Sequence, residues 1–316
     1  MASNTLRALV TGGAGFIGSH VVEELLRRGH EPVVLDDLSV GRIENVAPGV
    51  PVVQGDVCDP GVVADLVRSV DGVVHLAARV TIRGSVDHFV EDARTNLMGT
   101  LNVLRQVADV PEPPKLVLAS SMAVYGEGLT LPIDENTPAS PTSPYGISKL
   151  AAESYCLLLG RLRGLRTVAL RYFNTCGPRQ TPTPYVGVMT IFARRMLKGL
   201  RPVVFGDGEQ VRDFVSVHDV AWATVTTLEA DVDGVAVNIG TGRGTSVNQL
   251  AAELARRIDP ALTPTYAPVR SEELRASVAD IGRATRLLGY VPRVGVGEAL
   301  DEVVAWCRAY PEAEAV

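Results

Sequence analysis

The sequence predicts an α/β fold built on a doubly wound parallel sheet, with a smaller α/β domain interleaved on its C-terminal side. Short apolar runs alternate with amphipathic stretches through the first half of the chain, and such alternation is typical of parallel strands joined by helices. The glycine-rich segment 11–18 follows the first apolar run directly and precedes the first amphipathic stretch. A glycine-rich turn between a strand and a helix is typical of the Rossmann type of dinucleotide site.

Six apolar runs in the first half predict the strands. They are short and rich in Val, Leu or Ala: Leu6–Thr11, Pro32–Asp36, Val52–Gly55, Gly72–Ala77, Lys115–Ser120 and Thr167–Arg171. Amphipathic stretches between them predict the connecting helices: Phe16–Arg28, Gly61–Ser69, Val86–Ala108 and Ser148–Arg163. Because the runs are apolar on both faces, helices should cover the sheet from both sides.

The second half of the chain predicts a long loop, more helices and one returning strand. Thr175–Tyr185 contains three prolines and predicts the loop. Ser246 is the expected N-cap of a helix at Val247–Ile258, and Val235–Ile239 is expected to return to the first sheet. Further helices are predicted at Val188–Lys198, Arg283–Leu288 and Gly297–Ala309.

The 316 residues are enough for one large or two closely associated domains. We expect residues 1–175, with a return segment at about 211–240, to form a cofactor domain. Residues 176–210 and 241–316 should form a substrate domain. The boundary is therefore expected to be interleaved.

Composition and charge exclude several classes of partner. The net charge of −6 argues against nucleic acid and against an anionic membrane surface. No run approaches the ~20 apolar residues that span a bilayer, and the first apolar run is too short for a signal peptide. The four cysteines lack metal-ligand spacing, so we expect no metal site and reduced thiols in a cytoplasmic protein.

The glycine-rich segment predicts where a dinucleotide's pyrophosphate binds. Gly12, Gly15 and Gly18 permit a tight turn, a close approach of phosphate and close packing of the helix on the strand. The backbone N–H groups of Phe16 and Ile17, at the start of the helix, would face the pyrophosphate. The alternative is an ordinary structural glycine turn.

Acidic residues at two strand ends predict the rest of the cofactor site. Asp36 and Asp37 end the second run, at the distance of about 20 residues expected for an acid that binds the adenosine ribose. A carboxylate there repels a 2′-phosphate, which favours NAD over NADP. Asp56, followed by Val57, ends the third run and is a candidate to accept from the adenine amino group; the alternative for Asp56 is a helix cap before Pro60.

Ala77 and Ala78 follow the fourth run. Their small side chains would let the backbone lie against the cofactor, and the alternative is simple packing.

Tyr145 and Lys149 are the candidate catalytic pair. They lie four residues apart, hence on one face of a helix. A neighbouring ammonium and a nicotinamide cation would lower the pKa of the phenol, which is about 10 in a free tyrosine. Ser120 and Ser121 end the fifth run, at the edge of the sheet where ligands bind. A hydroxyl there can bond both the substrate oxygen and the phenol; the alternative is a serine that forms a turn.

These motifs together resemble the extended short-chain dehydrogenases/reductases, most closely the UDP-glucose and UDP-N-acetylglucosamine 4-epimerases. The resemblance covers nearly the full length of the chain. The matching segments are TGGAGFIGSH (11–20), LDDLSVGR (35–42), HLAA (75–78), NLMGTLNVL (96–104), ASSMAVYG (119–126), SPYGISK (143–149), RYFNTCGPRQ (171–180), FGDGEQVRDFVSVHDV (205–220), NIGTG (238–242) and ADIGRATRLLGYVP (279–292).

The resemblance implies a role for each matching residue of the active site. Tyr145 would be the base, Lys149 its activator and a ligand of the cofactor ribose, and Ser121, rather than Ser120, the hydroxyl partner. Asn96 would support the site next to the cofactor.

The resemblance also implies a set of substrate-binding residues. Arginine binds phosphate oxygens in pairs, which suits a sugar-nucleotide diphosphate. The alternative for Arg212 is an ordinary salt bridge with Asp213 or Asp219. Ser277 would gate the pocket beside the 2-substituent of the sugar, where a small residue admits an N-acetyl group. The full set is Ser121, Tyr145, Asn174, Val188, Val204, Phe205, Arg212, Arg270 and Ser277.

The implied activity is NAD-dependent 4-epimerisation of a nucleotide sugar through a transient 4-keto sugar. The alternatives are another nucleotide-sugar enzyme of this superfamily, either a reductase or a UDP-glucuronate epimerase or decarboxylase, and a cofactor-binding protein without turnover. A dehydratase is disfavoured because Met122 and Ala123 replace its acidic pair. The helical stretches Val86–Ala108 and Ser148–Arg163 would form the family's dimer interface, so a homodimer is expected.

Overall fold

The computed structural model describes residues 5–127, 130–181, 187–269 and 274–311. The strands are β1 (Arg7–Thr11), β2 (Glu31–Asp36), β3 (Val52–Gln54), β4 (Gly72–His75), β5 (Lys115–Ser121), β6 (Thr167–Tyr172), β7 (Asn174–Cys176), β8 (Val203–Phe205), β9 (Val211–Arg212), β10 (Phe214–Ser216), β11 (Val235–Ile239), β12 (Thr245–Ser246), β13 (Thr265–Ala267) and β14 (Ala276–Ser277). The helices are α1 (Phe16–Arg27), α2 (Pro60–Val67), α3 (Gly84–Asp87), α4 (Phe89–Ala93), α5 (Gly99–Ala108), α6 (Pro144–Arg163), α7 (Val188–Leu197), α8 (Val217–Glu229), α9 (Val247–Ile258), α10 (Gly282–Leu288) and α11 (Val296–Ala309).

Seven parallel strands form the main sheet, in the order β3-β2-β1-β4-β5-β6-β11. The predicted doubly wound sheet is confirmed, and Val235–Ile239 returns to it as the edge strand beside β6. The order reverses between β1 and β4. The carboxyl ends of these two strands therefore flank the crevice in which such sheets bind ligands.

Apolar layers cover both faces of the sheet. Leu9 and Val10 are neighbours on β1 and are both fully buried, but they belong to opposite layers because successive strand residues point to opposite faces. One layer includes Leu25 of α1 and residues of α8, and the other includes Leu104 of α5. The apolar pattern does not predict α8, since its Val-, Ala- and Thr-rich sequence is buried at most positions and lacks a distinct polar face.

The predicted continuous helix Val86–Ala108 is wrong. His88 leaves the helical backbone conformation, with φ −125° and ψ 46°, and separates α3 from α4. A π-helical segment, Arg94–Met98, then precedes α5. A π turn adds one residue per turn, so it changes which side chains face inward, and here it buries Asn96. The period of apolar residues does not reveal either break.

The C-terminal region has its own apolar core, formed by α7, α9 and α11. The N-cap prediction for α9 is confirmed: the Ser246 hydroxyl accepts from Gln249 N at 3.1 Å, and the Gln249 side chain accepts from Ser246 N at 2.9 Å.

The boundary between the two regions differs from the expectation at two places. Strand β9 pairs with β12 and β14 of the C-terminal region, whereas α10 and Tyr290 pack on the core of the main sheet.

The expected loop at Thr175–Tyr185 is corrected in part, because β7 covers its first residues and pairs in parallel with β10. Residues 182–185 of that segment lie outside the described ranges. A backbone pairing across a distance of about 40 residues in sequence leaves no local signal.

A buried polar network anchors α6 to the sheet. Arg171, on β6, donates from Nε to Glu153 Oε2 of α6 at 3.0 Å. The same carboxylate accepts from Ser120 Oγ at the end of β5 at 2.6 Å. Arg171 Nη1 also donates to Tyr125 Oη at 2.8 Å, and Tyr125 donates to Asn238 Oδ1 of β11 at 2.6 Å. One carboxylate and one guanidinium thus join α6 to three neighbouring strands.

Removal of the Glu153 charge should destabilise the protein strongly. We expect Glu153→Gln to lower the free energy of unfolding by about 3 kcal/mol, since it leaves the guanidinium of Arg171 buried without a counter-charge. Chemical denaturation followed by circular dichroism measures the change. Asp65→Asn, at an exposed ion pair with Arg68, is the matched control and should leave stability nearly unchanged. A Glu153→Gln variant as stable as this control would contradict the role of the network.

Candidate active site

The glycine loop between β1 and α1 forms a close contact that only glycine permits. Gly12 has φ +70°, and a Cβ on Gly18 would lie 2.1 Å from the Gly12 carbonyl oxygen. Helix α1 begins at Phe16 behind Gly15, and no side chain caps it. The first-turn N–H groups of Phe16 and Ile17 have no acceptor within the helix, so this end of α1 suits an anion such as a pyrophosphate.

Asp36 lies directly against the glycine loop. Its carboxylate is buried and accepts from Ala14 N and Leu38 N, each at 2.9 Å. Burial raises the pKa of Asp36, and these two N–H groups oppose that shift. The side chain of Asp37 is exposed and accepts from Ser39 N at 2.9 Å. The structure therefore separates the two acids, with Asp36 at the loop and Asp37 supporting the following turn.

Asp56 pairs with a cation beside the cleft. It accepts from Cys58 N at 2.8 Å and forms an ion pair with Arg94 at 2.7 Å. Burial opposes its ionisation, but these partners hold the pKa of Asp56 below its usual value. The alternative role of Asp56 as a helix cap is wrong, because Asp59 caps α2. Val57 is buried next to it, and its contact with adenine stays a prediction.

A buried histidine joins the ends of β1 and β4. Thr11 Oγ1 lies 2.7 Å from His75 Nδ1, and His75 Nε2 lies 3.0 Å from Thr100 Oγ1. Thr11 Oγ1 also accepts from Leu76 N and Ala77 N, each at 3.2 Å. Burial, with a smaller contribution from Lys149, lowers the pKa of His75 to about 3, so the ring is neutral.

This hydrogen-bond chain fixes the walls of the cofactor crevice. A Cβ on Gly12 would lie 2.8 Å from Ala77 N, so the two strand ends are in close contact there. Ala78 follows in the same loop. Sequence reasoning did not single out His75; its only signal is a polar residue inside an apolar strand.

Ser121 and Tyr145 lie at the carboxyl edge of the sheet. Ser121 ends β5 and accepts from Ala123 N at 3.2 Å, and Tyr145 is the second residue of α6. The Ser121 hydroxyl lowers the pKa of the Tyr145 phenol by hydrogen bonding. Ser120 instead donates to Glu153 in the core. Lys149 lies one turn further along α6 and donates from Nζ to Ala119 O at 3.0 Å.

Burial governs the protonation of both residues in the protein alone. It raises the pKa of Tyr145 to about 12, which the hydrogen bond from Ser121 only partly offsets. It lowers the pKa of Lys149 to about 8, against the opposing charge of Asp92. A neighbouring lysine and the nicotinamide cation lower the pKa of the phenol, whereas the burial of the ring raises it, and the local sequence pattern does not reveal that burial.

Two serines fix the start of α6, where Tyr145 lies. The Ser143 hydroxyl accepts from Gly146 N at 3.1 Å, and Ser85 of α3 accepts from Tyr145 N at 3.0 Å. The backbone of the catalytic turn is thereby tied to the segment that follows β4. Sequence reasoning did not identify Ser85, because no local pattern links it to residues 60 positions away.

Asn96 holds the loop after β4. Its side chain accepts from Arg79 N at 2.8 Å and donates to Arg79 O at 3.0 Å. It also donates to Asp92 Oδ2 at 3.0 Å, and Ser148 donates to Asp92 Oδ1 at 2.6 Å. Asn96 is therefore next to the loop of Ala77 and Ala78, as its predicted supporting role requires. Asp92 and Ser148 were not singled out from the sequence.

Three of the predicted substrate residues converge around Asp213. Asn174 N donates to Asp213 O at 3.1 Å, Asp213 N donates to Ser277 O at 2.8 Å, and Arg212 is paired in register with Ser277. Asn174 Oδ1 and Ser277 Oγ are buried and have no hydrogen-bond partner among the described residues. Buried polar atoms without partners are rare and suit a polar ligand.

The two acids offered as salt-bridge partners of Arg212 both accept from backbone N–H groups. Asp213 accepts from Thr241 N, Gly242 N and Ala279 N. Asp219 accepts from Arg293 N and Val294 N. The salt-bridge alternative for Arg212 stays open.

The remaining predicted substrate residues lie in the C-terminal region. Val188 begins α7, and Val204 and Phe205 are on β8, which pairs with β13. Val204 is fully buried. Arg270 lies outside the described residues.

Within the ranges that the structure describes, no helix is long and apolar enough to cross a membrane. The same residues contain no cluster of His, Cys, Asp and Glu suited to a metal ion.

Comparisons with known proteins agree with the geometry. Residues 8–240 match the family described as the NAD dependent epimerase/dehydratase family. A putative UDP-glucose 4-epimerase of Methanocaldococcus jannaschii is 41% identical over 302 residues, which are 95% of this chain and 98% of that protein.

Two solved structures are similar over nearly their whole length. The UDP-glucose 4-epimerase of Thermotoga maritima with UDP-glucose has a TM-score of 0.92 and 38% identity, covering 97% of this chain and 100% of the other. The UDP-glucose 4-epimerase of Thermus thermophilus in complex with NAD has a TM-score of 0.89 and 40% identity, covering 96% and 99%. On the match over residues 8–240 and these full-length likenesses, the chain belongs to the NAD dependent epimerase/dehydratase family.

Proposed function

We propose that this protein is an NAD-dependent nucleotide-sugar 4-epimerase that interconverts UDP-glucose and UDP-galactose through a transient 4-keto sugar. The observation that carries the proposal is the arrangement of Ser121 at the end of β5 with Tyr145 and Lys149 on α6, at the same edge of the sheet as the glycine loop. A bonded phenol with a lysine one helical turn away suits proton transfer to and from an alcohol. The relatives named UDP-glucose 4-epimerase support the choice of sugar.

The residues around the glycine loop fit NAD. The contact that only glycine allows at Gly18, the uncapped start of α1 and the carboxylate of Asp36 match a pyrophosphate followed by a ribose with free hydroxyls. The negative charge of Asp36 disfavours the 2′-phosphate of NADP. When bound, NAD supplies the hydride acceptor and donor that let a sugar alcohol be oxidised and reduced again.

Tyr145 is the proposed base. Since burial raises the pKa of Tyr145 to about 12, nearby positive charge has to favour the phenolate. The ammonium of Lys149 and the positive nicotinamide ring both act in that direction. Tyr145 takes the proton of the 4-hydroxyl and returns it to the 4-keto oxygen after the sugar has turned over in the pocket. Ser121 bonds the same sugar oxygen in both steps.

The substrate would lie between the sheet edge and the C-terminal region. Arg212 and Asn174 would bind the diphosphate, together with Arg270. Val188, Val204 and Phe205 would pack near the nucleobase. Ser277 is small and its hydroxyl has no partner among the described side chains, so we propose that the pocket also accepts the N-acetylated pair of sugars.

Two related reactions are less well supported. Met122 and Ala123 are buried apolar residues, so they offer no acid to expel a hydroxyl as a dehydratase does. A reductase has to exchange its cofactor in every cycle, whereas an epimerase regenerates it. Retention of the cofactor during purification therefore distinguishes an epimerase from a reductase.

A second copy of the chain is the proposed partner. Large apolar side chains of α6 are exposed at spacings that put them on one helical face, and more lie on α4 and the π segment. They are Ile147, Tyr155, Leu158 and Leu162 of α6, with Phe89, Val90 and Met98. We propose that these helices form a homodimer interface and that the protein is cytoplasmic, since its four cysteines are free thiols. Recovery from the membrane fraction would contradict the proposed location.

The substrate test uses purified protein with UDP-glucose and, separately, UDP-N-acetylglucosamine. We expect NMR to resolve the corresponding 4-epimers in both reactions. Tyr145→Phe should lower kcat by at least about 10²-fold, because it removes the proton acceptor. Tyr310→Phe, at an exposed tyrosine directly after α11, is the matched control and should keep full turnover. Undiminished turnover by Tyr145→Phe would refute the mechanism, and no reaction with the N-acetylated sugar would remove that part of the proposal.

Cofactor retention is tested by denaturing the protein as purified. We expect acid or heat to release NAD in amounts approaching one per chain, identified by chromatography. Gly18→Ala should greatly reduce the NAD released, since its Cβ would collide with the Gly12 carbonyl. Gly295→Ala is a control at a glycine with a negative φ and an open Cβ position, and it should retain the cofactor. Protein that is isolated without NAD and consumes added NADPH would favour a reductase.

Subunit association is tested by sedimentation velocity. The wild-type protein should sediment as a dimer. Replacing Leu158 and Leu162 together by Glu should give a folded monomer, because charges on an apolar interface are costly to bury. A monomeric wild type would refute the dimer.

A further inference from the structure

Asp92 is a buried acid that the reaction described above does not use. It lies in α4 and is 2% exposed. Its Oδ1 accepts from Ser148 Oγ at 2.6 Å, and its Oδ2 accepts from Asn96 Nδ2 at 3.0 Å. Carboxylates are seldom buried to this extent unless they are paired or have a specific task.

The two partners of Asp92 belong to the two walls of the active site. Ser148 is the residue before Lys149 on α6. Asn96 bonds both backbone groups of Arg79, in the loop that continues from Ala77 and Ala78. A direct line of hydrogen bonds therefore runs from the catalytic helix through Asp92 to the loop that flanks the cofactor crevice.

The neighbours of Asp92 include Lys149 and Tyr145, the two residues proposed to take part in proton transfer. Lys149 and Arg79 act on it as positive charges, and Tyr145 responds to it in turn. His75 also interacts with Lys149, but it is neutral because burial lowers its pKa to about 3. Burial raises the pKa of Asp92, while Ser148, Asn96, Lys149 and Arg79 oppose that shift. In its ionised form, Asp92 is a negative charge close to Lys149.

The hydrogen bonds alone do not require this charge. Ser148 Oγ has a second acceptor, Tyr145 O, at 3.0 Å. A neutral amide at position 92 could accept from Asn96 and donate to Ser148, whose proton would then go to Tyr145 O. Every hydrogen bond of the cluster could thus be made without a carboxylate. What only the acid supplies is negative charge.

We propose that Asp92 is a positioning residue whose negative charge keeps the buried Lys149 in its ammonium form and whose hydrogen bonds set the catalytic helix against the cofactor loop. This rests on the proposed function, in which the ammonium favours the phenolate of Tyr145. The same charge also acts directly on Tyr145, in the direction that disfavours the phenolate. Removing the charge therefore lowers the pKa of Lys149, and it also lowers the pKa of Tyr145 over the pH range in which Lys149 keeps its proton.

The test compares Asp92→Asn with the wild type over a pH series. We expect both limbs of the pH profile of kcat to move to lower pH, with a loss of at least about threefold in kcat on the alkaline side and little change in KM. Ser148→Ala keeps the charge and loses the hydrogen bond, so its alkaline limb should stay at the wild-type position. Asp65→Asn, an exposed acid, should leave the whole profile unchanged.

A direct titration makes the result independent of turnover. The near-ultraviolet absorbance of the phenolate is recorded for each NAD-loaded protein and for its counterpart that also carries Tyr145→Phe, and the difference reports Tyr145. Its midpoint should be lower in Asp92→Asn than in the wild type. Asp92→Ser makes the same charge change with a smaller side chain and should shift the midpoint in the same direction if Asp92→Asn folds poorly.

The outcomes separate this inference from the proposed function. If Asp92→Asn is folded and neither the titration midpoint nor the limbs of the profile move, Asp92 has only a structural role and the inference is overturned. If the wild type shows no epimerase activity but the midpoint still shifts, the proposed function fails while the electrostatic role of Asp92 stands.

Discussion

The buried ion pair between Glu153 and Arg171 is the constraint on which the position of the reacting groups depends. Tyr145, Lys149 and Glu153 follow one another at intervals of four residues, so they share one face of α6. The third of them joins that face to β5 and β6 through Ser120 and Arg171. Glu153, which anchors the helix, therefore lies on the same face of α6 as the candidate catalytic residues Tyr145 and Lys149. A shift of α6 on the sheet would move the phenol of Tyr145 and the ammonium of Lys149 together relative to Ser121.

Burial of Tyr145 and Lys149 has two opposing effects on the proposed reaction at this site. It excludes water from Tyr145 and Lys149, and it moves the pKa of each toward the neutral form. A low-dielectric pocket strengthens the effect of every charge in it. In the proposed mechanism few charges are then needed, namely the carboxylate of Asp92 near the lysine and the cationic ring of the cofactor near the phenol. The fold would supply the geometry, and the buried charges would favour the reactive protonation state.

Much of the fold follows from local patterns, whereas the second layer of the site does not. The strand runs, the glycine loop and the capping box at Ser246 are local signals, and the structure contains each of them. The interrupted helix before α5 is different, because the π turn shifts the inward-facing positions by one residue and the period of the apolar residues does not reveal that shift. Helix α8 is buried on most sides and so shows little periodicity. Asp92, Ser85 and His75 act through partners distant in sequence, which no spacing rule reveals.

The neutral ring of His75 determines how the cofactor crevice responds to acid. Because Thr100 donates to Asn96 O at 2.7 Å, the ring has to donate from Nε2 and accept from Thr11 at Nδ1, which fixes one orientation of the whole chain. Burial keeps the pKa of the native ring near 3, whereas an unfolded chain takes up the proton at about 6.5. As the pH falls from about 6.5 to about 3, the unfolded chain therefore gains stability relative to the native protein, because only the unfolded histidine binds a proton. Over the same pH range, the donors and acceptors around the native His75 ring keep their roles. This hydrogen-bond chain therefore keeps its direction as the medium is acidified, and it is lost only when the domain unfolds.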